Sequence, residues 1–279
     1  LDELLWPGHP LGMNLAGTPE SVSRLKQSQL LDFKRQFYHP ANIVVSVCGN
    51  IEHEKLCAKL SKLFAKAKIQ ANTNSQKVNI KQTKPRSRFL YKDTQQSHIS
   101  MGYHCLSRKH PDRHAVSLLH IILGANMSSR LFSEIRDKKG LAYEIGTSPR
   151  YFNDTGAFFV HAGVDNRKVR TAISAIGKEI HKITVSPVAK KEFIRAKEYY
   201  SGQLLMSLED TLDHMLWMGE QETALRRVKT ADEILKEINQ VAIDDLLRVA
   251  KGIFRSSSLS LAIIGPQKEK EQAKIASLL

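Results

Sequence analysis

Two kinds of hydrophobic pattern alternate along this chain: apolar residues spaced three or four apart, and short runs that are apolar throughout. The first kind is typical of an amphipathic helix and the second of a buried strand. Near the start, the pattern predicts a helix over residues 18–37, with Thr18 as its cap and Pro19 at its first position. A strand over residues 43–48 and an amphipathic helix ending near Phe64 follow.

The end of the chain repeats this plan at a constant spacing of 216 residues. A helix over residues 243–254 precedes an apolar strand over 259–264, a glycine and a last helix that ends at Leu279. Seven pairs of positions agree in character: Leu30 with Leu246, Leu31 with Leu247, Tyr38 with Phe254, Ile43 with Leu259, Val45 with Leu261, Val47 with Ile263, and Gly49 with Gly265. Residue identity is low, and chance agreement between two helix–strand–helix segments is the alternative explanation. The spacing nevertheless predicts two copies of one unit.

The repeat also predicts where the domains begin and end. The second copy begins near Arg88, after a polar linker, and the same spacing places the start of the first copy about 130 residues before Leu1. We therefore predict the C-terminal part of a first domain over residues 1–69, a linker over 70–87 and a complete second domain over 88–279.

The predicted elements of the second copy mix hairpins with helices. They are strands at 89–91, 99–106, 142–151 and 157–164, a helix at 112–123, and a mostly helical stretch from 167 to 254. The turn Asn-Asp-Thr-Gly at residues 153–156 joins two of these strands. Strands joined by turns and split around helical pairs favour an α+β fold over a doubly wound parallel sheet.

One stretch of the second copy, residues 128–143, predicts a binding corner. Ser128 is expected to cap a helix whose apolar stripe is Leu131, Phe132 and Ile135, and Gly140 to end it in a left-handed conformation. Arg136 and Tyr143 then lie on either side of one helix-to-strand corner, close enough to bind one ligand. The structural alternatives are a cation at a helix C-terminus for Arg136 and strand packing for Tyr143.

Composition narrows the function classes. The 279 residues are 42% hydrophobic and carry a formal net charge of +14. The lysines are scattered without interleaved aromatic residues, which favours a solvated surface, or a field that attracts acidic ligands, over a nucleic-acid site. No run of about 18 apolar residues predicts a membrane span, and no targeting segment opens the chain, so no compartment is assigned. Cys48, Cys57 and Cys105 are expected to be buried free thiols.

Eleven histidines invite a search for a metal site, but their spacing predicts none. A zinc hydrolase needs three protein ligands and an open position, and H-x-x-E-H on a helix is the strong signal for it. That run is absent from this sequence. His110 and His114 are four apart, but Pro111 starts a helix between them and Arg113 stands where a base is needed. We interpret them as cap and surface histidines, and we assign no catalytic residue and no metal ligand in this chain.

The run SSRLF-x-x-IR-x-x-x-GLAY at residues 128–143 resembles the second domain of the pitrilysin/insulinase-like zinc metallopeptidases, in their processing-peptidase-like branch. Weaker similarities extend over most of the chain: His-Pro-Leu-Gly at 9–12, Gly-Thr-Pro-Glu at 17–20, Pro-Ala-Asn at 40–42, Cys-Gly-Asn at 48–50 and Asp-Thr-Gly at 154–156. The resemblance implies two homologous domains, each a mostly antiparallel sheet with helices on one face, the first of them incomplete here. It also implies zinc in the parent protein, held by ligands that precede Leu1, and no zinc bound by this chain.

The resemblance further implies that Arg136 and Tyr143 bind the substrate, a peptide or unfolded protein added as a strand beside a sheet edge. Two interpretations remain open. In the first, the chain is a fragment of a zinc metalloendopeptidase, supplies the substrate-clamping domain and is inactive alone. In the second, it is a non-catalytic peptide-binding or structural subunit of such an enzyme. A homodimer, or a heterodimer with a related subunit, fits either, and nucleic acid is not an expected partner.

Overall fold

The computed structural model describes residues 1–65 and 75–279 and contains one five-stranded sheet. The strands are β1 (Arg86–Tyr91), β2 (Gln96–Cys105), β3 (Ala142–Tyr151), β4 (Gly156–Asp165) and β5 (Ser260–Gly265). They lie in the order β1-β5-β2-β4-β3. β1 and β5 are parallel, and every other neighbouring pair is antiparallel. The fold class predicted from the sequence, α+β with a mostly antiparallel sheet, is confirmed.

The helices do not alternate regularly with the strands. Some precede β1, others lie between β2 and β3 or between β4 and β5, and one follows β5. They are α1 (Asp2–Leu5), α2 (Pro19–Ser23), α3 (Gln27–Phe37), α4 (His53–Phe64), α5 (Arg113–Gly124), α6 (Val169–Val185), α7 (Lys190–Glu209), α8 (Thr211–Leu225), α9 (Ala231–Gln240), α10 (Ile243–Ile253) and α11 (Glu269–Ala276). A π-helix spans Phe132–Lys138, and 3₁₀ turns span Pro10–Gly12, Pro40–Asn42 and Ser256–Ser258.

The main core lies between one face of the sheet and the helices α5, α6 and α10. Alternate residues of β4, among them Phe158 and Val160, belong to this core because successive strand side chains point to opposite faces. Helix α1 covers part of the other face, where Leu5 and Trp6 pack with Phe159. Gly102 permits this approach, since a Cβ there would lie 3.1 Å from the Leu5 side chain.

The chain consists of two compact units. The first contains Leu1–Gly12, Val78–Gln203 and Asp232–Leu279, and holds the sheet. The second contains Met13–Lys77 and Leu204–Ala231. Residues 70–74 of the predicted linker lie outside the described residues. Among the described residues, no helix combines the length and apolar character that crossing a bilayer requires.

The helices at the two ends of the chain keep the 216-residue spacing. The corresponding elements are α3 and α10, the 3₁₀ turns Pro40–Asn42 and Ser256–Ser258, and the first residues of α4 and α11. The two segments therefore share one order of local structure.

The strand predicted over residues 43–48 is wrong for the described chain. Its counterpart β5 is hydrogen-bonded to β1 on one side and β2 on the other, whereas no described strand pairs with residues 43–48. Ser46 instead donates its hydroxyl to the carbonyl of Met215 in α8, at 2.7 Å. A strand forms only where a neighbour completes its hydrogen-bond ladder, so an apolar run alone does not make one.

The helix predicted over residues 18–37 is two helices. Thr18 caps α2 as predicted, because its hydroxyl accepts a hydrogen bond from the backbone N–H of Ser21. The chain then leaves the helix and starts α3, where the side-chain oxygen of Gln29 accepts from the backbone N–H of Lys26 at 2.9 Å. All three cysteines are free, as predicted, but only Cys105 is buried, so the burial predicted for Cys48 and Cys57 is wrong.

A candidate peptide-binding corner

The helix of the binding corner is held by its apolar side. Leu131 and Ile135 are fully buried in the main core. The cap predicted at Ser128 is wrong: the helix begins at Arg130, and in the turn before it the side-chain oxygen of Asn126 accepts a hydrogen bond from the backbone N–H of Ser128 at 2.9 Å. Phe132–Lys138 then form a π-helix, an irregularity that is frequent at functional sites.

Gly140 ends this helix as predicted. Its φ of +54° is the left-handed conformation that glycine adopts without strain. The backbone N–H of Leu141 donates to the carbonyl of Ile135 at 2.9 Å, and the ammonium of Lys168 donates to the carbonyl of Gly140 at 3.1 Å. These bonds fix the direction in which the chain enters β3.

Tyr143 lies at a bulge in β3, an edge strand of the sheet. Ala142 pairs with Val164 and Glu144 pairs with Gly163, so Tyr143 is an extra residue between two neighbouring pairs. A bulge redirects the side chain that it carries. The side chain of Tyr143 is accordingly exposed, at 74%.

The structure brings Arg136 and Tyr143 together. The guanidinium carbon of Arg136 lies 5.5 Å from the centre of the Tyr143 ring and 4.6 Å from that of Phe132. Within the described chain, neither the Arg136 guanidinium nor the Tyr143 hydroxyl hydrogen-bonds to another side chain or the backbone. The corner therefore presents N–H and O–H donors to solvent, and both come from local backbone irregularities.

Arg130, at the start of the corner, forms an ion pair with a residue of α7. Its guanidinium donates two hydrogen bonds to the Glu192 carboxylate in α7, Nε to Oε1 at 2.9 Å and Nη2 to Oε2 at 2.6 Å. The hydrogen bonds that Arg130 donates to Glu192 raise the pKa of Arg130 above its ordinary value, against the opposing effect of partial burial. The ion pair therefore connects the start of the corner to α7.

Charges next to Arg136 neutralise one another. Glu134 accepts a short hydrogen bond from Lys138 and lies 3.7 Å from the ammonium of Lys139. The bond from Lys138, with the charges of both lysines, lowers the pKa of Glu134. Glu134 therefore stays ionised and paired with the lysines, and it is not paired with Arg136.

The described residues do not fit a zinc ion. No group of three or more His, Cys, Asp or Glu side chains among them is arranged to hold a metal. His114 is buried, not a surface histidine as predicted. Its Nδ1 is 3.1 Å from the Tyr200 hydroxyl and its Nε2 is 3.0 Å from the Glu237 carboxylate, so both ring nitrogens are occupied. His110 caps the turn before α5, with its Nδ1 accepting from the backbone N–H of Asp112.

Three residues that shape the corner escaped sequence reasoning. Asn126 precedes the motif, and asparagine is as typical of the start of a helix as serine is. Glu192 is 62 positions from its partner Arg130, and Lys168 is 28 from Gly140. No local pattern marks partners at such separations.

The family model of the peptidase M16 inactive domain matches residues 24–200, more than half of the chain. This chain belongs to the peptidase M16 family. The match includes both Arg136 and Tyr143, and it confirms the resemblance that the sequence motif indicated.

Similar M16 proteins carry protease names. An uncharacterised zinc protease of Rickettsia felis is 31% identical over 265 residues, which are 94% of this chain and 63% of that protein. A protease from Helicobacter pylori has the same fold, with a TM-score of 0.82 and 22% identity over 90% of this chain and 61% of that one. A chain in complex III of Candida albicans has a TM-score of 0.83 and 18% identity, over 98% and 68%. This chain spans about three fifths of the length of the curated relatives that it matches.

Proposed function

We propose that this chain supplies the substrate-clamping domain of a zinc metalloendopeptidase that cleaves unfolded peptides, with Arg136 and Tyr143 holding the peptide. The contact between the two side chains, on a π-helix and a β-bulge, is the observation that carries the proposal. The zinc protease names of the relatives support it.

The chemistry of the two side chains suits a peptide. A guanidinium donates two parallel hydrogen bonds to a carboxylate, or one to a peptide carbonyl, and a phenol donates to an oxygen on which negative charge develops. Stacking on Phe132 and Tyr143 limits the rotamers of Arg136, so less entropy is lost when it binds. Both groups act here as donors that orient the substrate.

Zinc belongs to the parent protein in this proposal, not to the described residues. They offer no set of three ligands, so we route no chemical step through the metal. The partners that we propose are a peptide or unfolded protein, and either a second copy of the protein or a related subunit.

A second function is a non-catalytic subunit that binds peptide or completes a chamber. The family model that matches is named for an inactive domain, and the fold is shared with a chain of complex III. This alternative predicts that the full-length protein binds peptide and leaves it uncut.

The decisive experiment measures peptide turnover by the full-length protein with Arg136→Ala and with Tyr143→Phe. We expect each change to lower turnover roughly 10²-fold, as for the loss of one donor to the transition state. Because both side chains are exposed, the thermal midpoint should stay unchanged.

Matched controls are Arg170→Ala and Tyr91→Phe, two exposed residues outside the corner. Both should retain wild-type turnover. If the corner variants also keep wild-type kinetics, the two residues have only structural roles. If the wild-type protein binds peptide with measurable affinity but never cleaves it, the non-catalytic function replaces the first proposal.

A further inference from the structure

A cavity of about 530 Å³ lies on the helical side of the sheet, and the described residues that line it do not include Arg136 or Tyr143. Its wall is formed by α6, by β2, by the connection between α10 and β5, and by the last two residues. All of these belong to the first compact unit. The volume falls within the range of small-molecule sites, which are mostly apolar with a few convergent polar groups.

Most of the wall is apolar. Tyr103 and Phe254 meet edge to face with ring centres 5.3 Å apart, and Ile173, Ile180 and Leu259 extend the surface. Such a wall favours an alkyl or aryl group, because filling the space removes apolar surface from water.

Tyr103 adds an unused hydrogen-bond donor to this wall. Its side chain is only 4% exposed, and its hydroxyl has no hydrogen-bond partner among the described residues. Burial raises the pKa of Tyr103, so the group remains a neutral donor. The hydroxyl opens onto the cavity, where it is free to donate to an acceptor oxygen of a bound ligand.

Helix α6 leaves room at the cavity. Gly177 lies in the interior of this 17-residue helix, where glycine is unfavourable relative to alanine. A Cβ built on Gly177 would have no atom within 4 Å, and Ser174, one turn earlier, is also small. The space is therefore not explained by close packing of a neighbouring element.

Apart from Tyr103, the titratable side chains that line the cavity, among the described residues, are all basic. Lys178, His181 and Lys182 line it, and no carboxylate side chain among the described residues does so. Lys182 is paired with Glu179 at 2.7 Å, whereas Lys178 has no carboxylate partner in the described chain. An anionic group suits this set of donors.

We propose that this cavity binds an aliphatic carboxylate, a fatty-acid-like ligand whose chain fills the apolar space and whose carboxylate oxygens accept from Tyr103 and Lys178. The site is separate from the peptide-binding corner and does not depend on the function proposed for it.

The test is calorimetric titration of the full-length protein with dodecanoate, below the concentration at which it forms micelles. We expect saturable binding of one molecule per chain. Gly177→Leu fills the cavity with a residue that favours helix, and it should weaken binding at least 30-fold. Gly252→Leu is the matched control: Gly252 is another helical glycine with open space around it, outside the cavity wall, and its replacement should leave the affinity unchanged.

Two further variants test the polar contacts. Tyr103→Phe and Lys178→Gln should each weaken the binding of dodecanoate about tenfold, which is the effect of losing one hydrogen bond to a charged group. Tyr103→Phe should not lower the thermal midpoint of the free protein, because the hydroxyl has no partner there. Dodecanol should bind at least tenfold more weakly than dodecanoate.

Absence of saturable binding would overturn the proposal, and so would equal binding by the wild type and Gly177→Leu. Equal affinity for dodecanol and dodecanoate would overturn the assignment of an anionic ligand. None of these three results bears on peptide turnover, so the two proposals fail independently.

Discussion

Burial sets the chemistry of two histidines in the first unit. His120, in α5, holds its Nδ1 2.7 Å from the Thr147 hydroxyl, and burial together with the charge of His161 lowers its pKa to about 4. His104, in β2, packs against Trp6, and burial with the charge of Arg86 likewise lowers its pKa to about 4. Both rings are therefore neutral in the folded protein at neutral pH.

This gives a pH dependence of stability with a definite sign. Below about pH 6.5 the unfolded chain takes up protons on these histidines, whereas the folded protein does not until about pH 4. Stability should therefore fall as the pH drops from 6.5, by up to about 2 kcal/mol per histidine at pH 5.

Denaturant titrations at several pH values between 7 and 5 measure this slope. His120→Phe should make the unfolding free energy depend less steeply on pH, by the contribution of up to one proton. His98→Gln, at an exposed position on the same sheet, should leave this slope unchanged. A slope that stays the same in His120→Phe contradicts the assignment.

At the scale of elements, the π-helix is held by several residues distant in sequence. The apolar side of the π-helix is buried in the main core, and Gly140 fixes its end. Arg130, two positions before the first residue of the π-helix, pairs with Glu192 of α7. This ion pair is largely sheltered from water, so its screening is weaker than at the surface. We expect the ion pair to fix the position of the corner relative to α7.

A double-mutant cycle of Arg130→Ala and Glu192→Ala should give a coupling energy of about 1–3 kcal/mol in the free energy of unfolding. The control is the Arg35–Asp32 pair, an exposed arginine–carboxylate pair in α3, for which the coupling should be about 0.5 kcal/mol or less. Equal coupling in the two cycles would show that the buried pair has no special role.

At the scale of the whole chain, the repeated segments and the candidate site are different parts of the sequence. The repeat relates α3 and α4 to α10 and α11, while the binding corner occurs once, in the first compact unit. In the proposed function the corner holds a peptide, while the described residues contain no ligand set for zinc. The same proposal places the zinc ligands in another part of the parent protein.

The purified 279-residue chain should accordingly show no peptidase activity that a chelator abolishes. A fluorogenic peptide assay with and without EDTA, beside a zinc determination on the same sample, measures this. The full-length protein is the control. Cleavage by the short chain that stops on chelation and returns with zinc would contradict the proposal.

How much the sequence predicted depended on the range of the interaction. The strands β3 and β4, the helix α5 and the left-handed Gly140 were predicted because alternation, helical spacing and glycine are local signals. The approach of Arg136 to Tyr143 followed from the short corner between them. Their role in binding a peptide stays a proposal.

The sequence by itself determined the order of helices and turns, down to the 216-residue spacing, because hydrogen bonds within a helix close over four residues. Tertiary structure alone decided which apolar runs became strands, because a strand needs neighbours on its edges. It also decided the bulge at Tyr143, the pairing of Arg130 with Glu192 and the cavity beside Tyr103. The ion pair and the cavity join parts of the chain that no local pattern connects, and the bulge depends on how β3 pairs with β4.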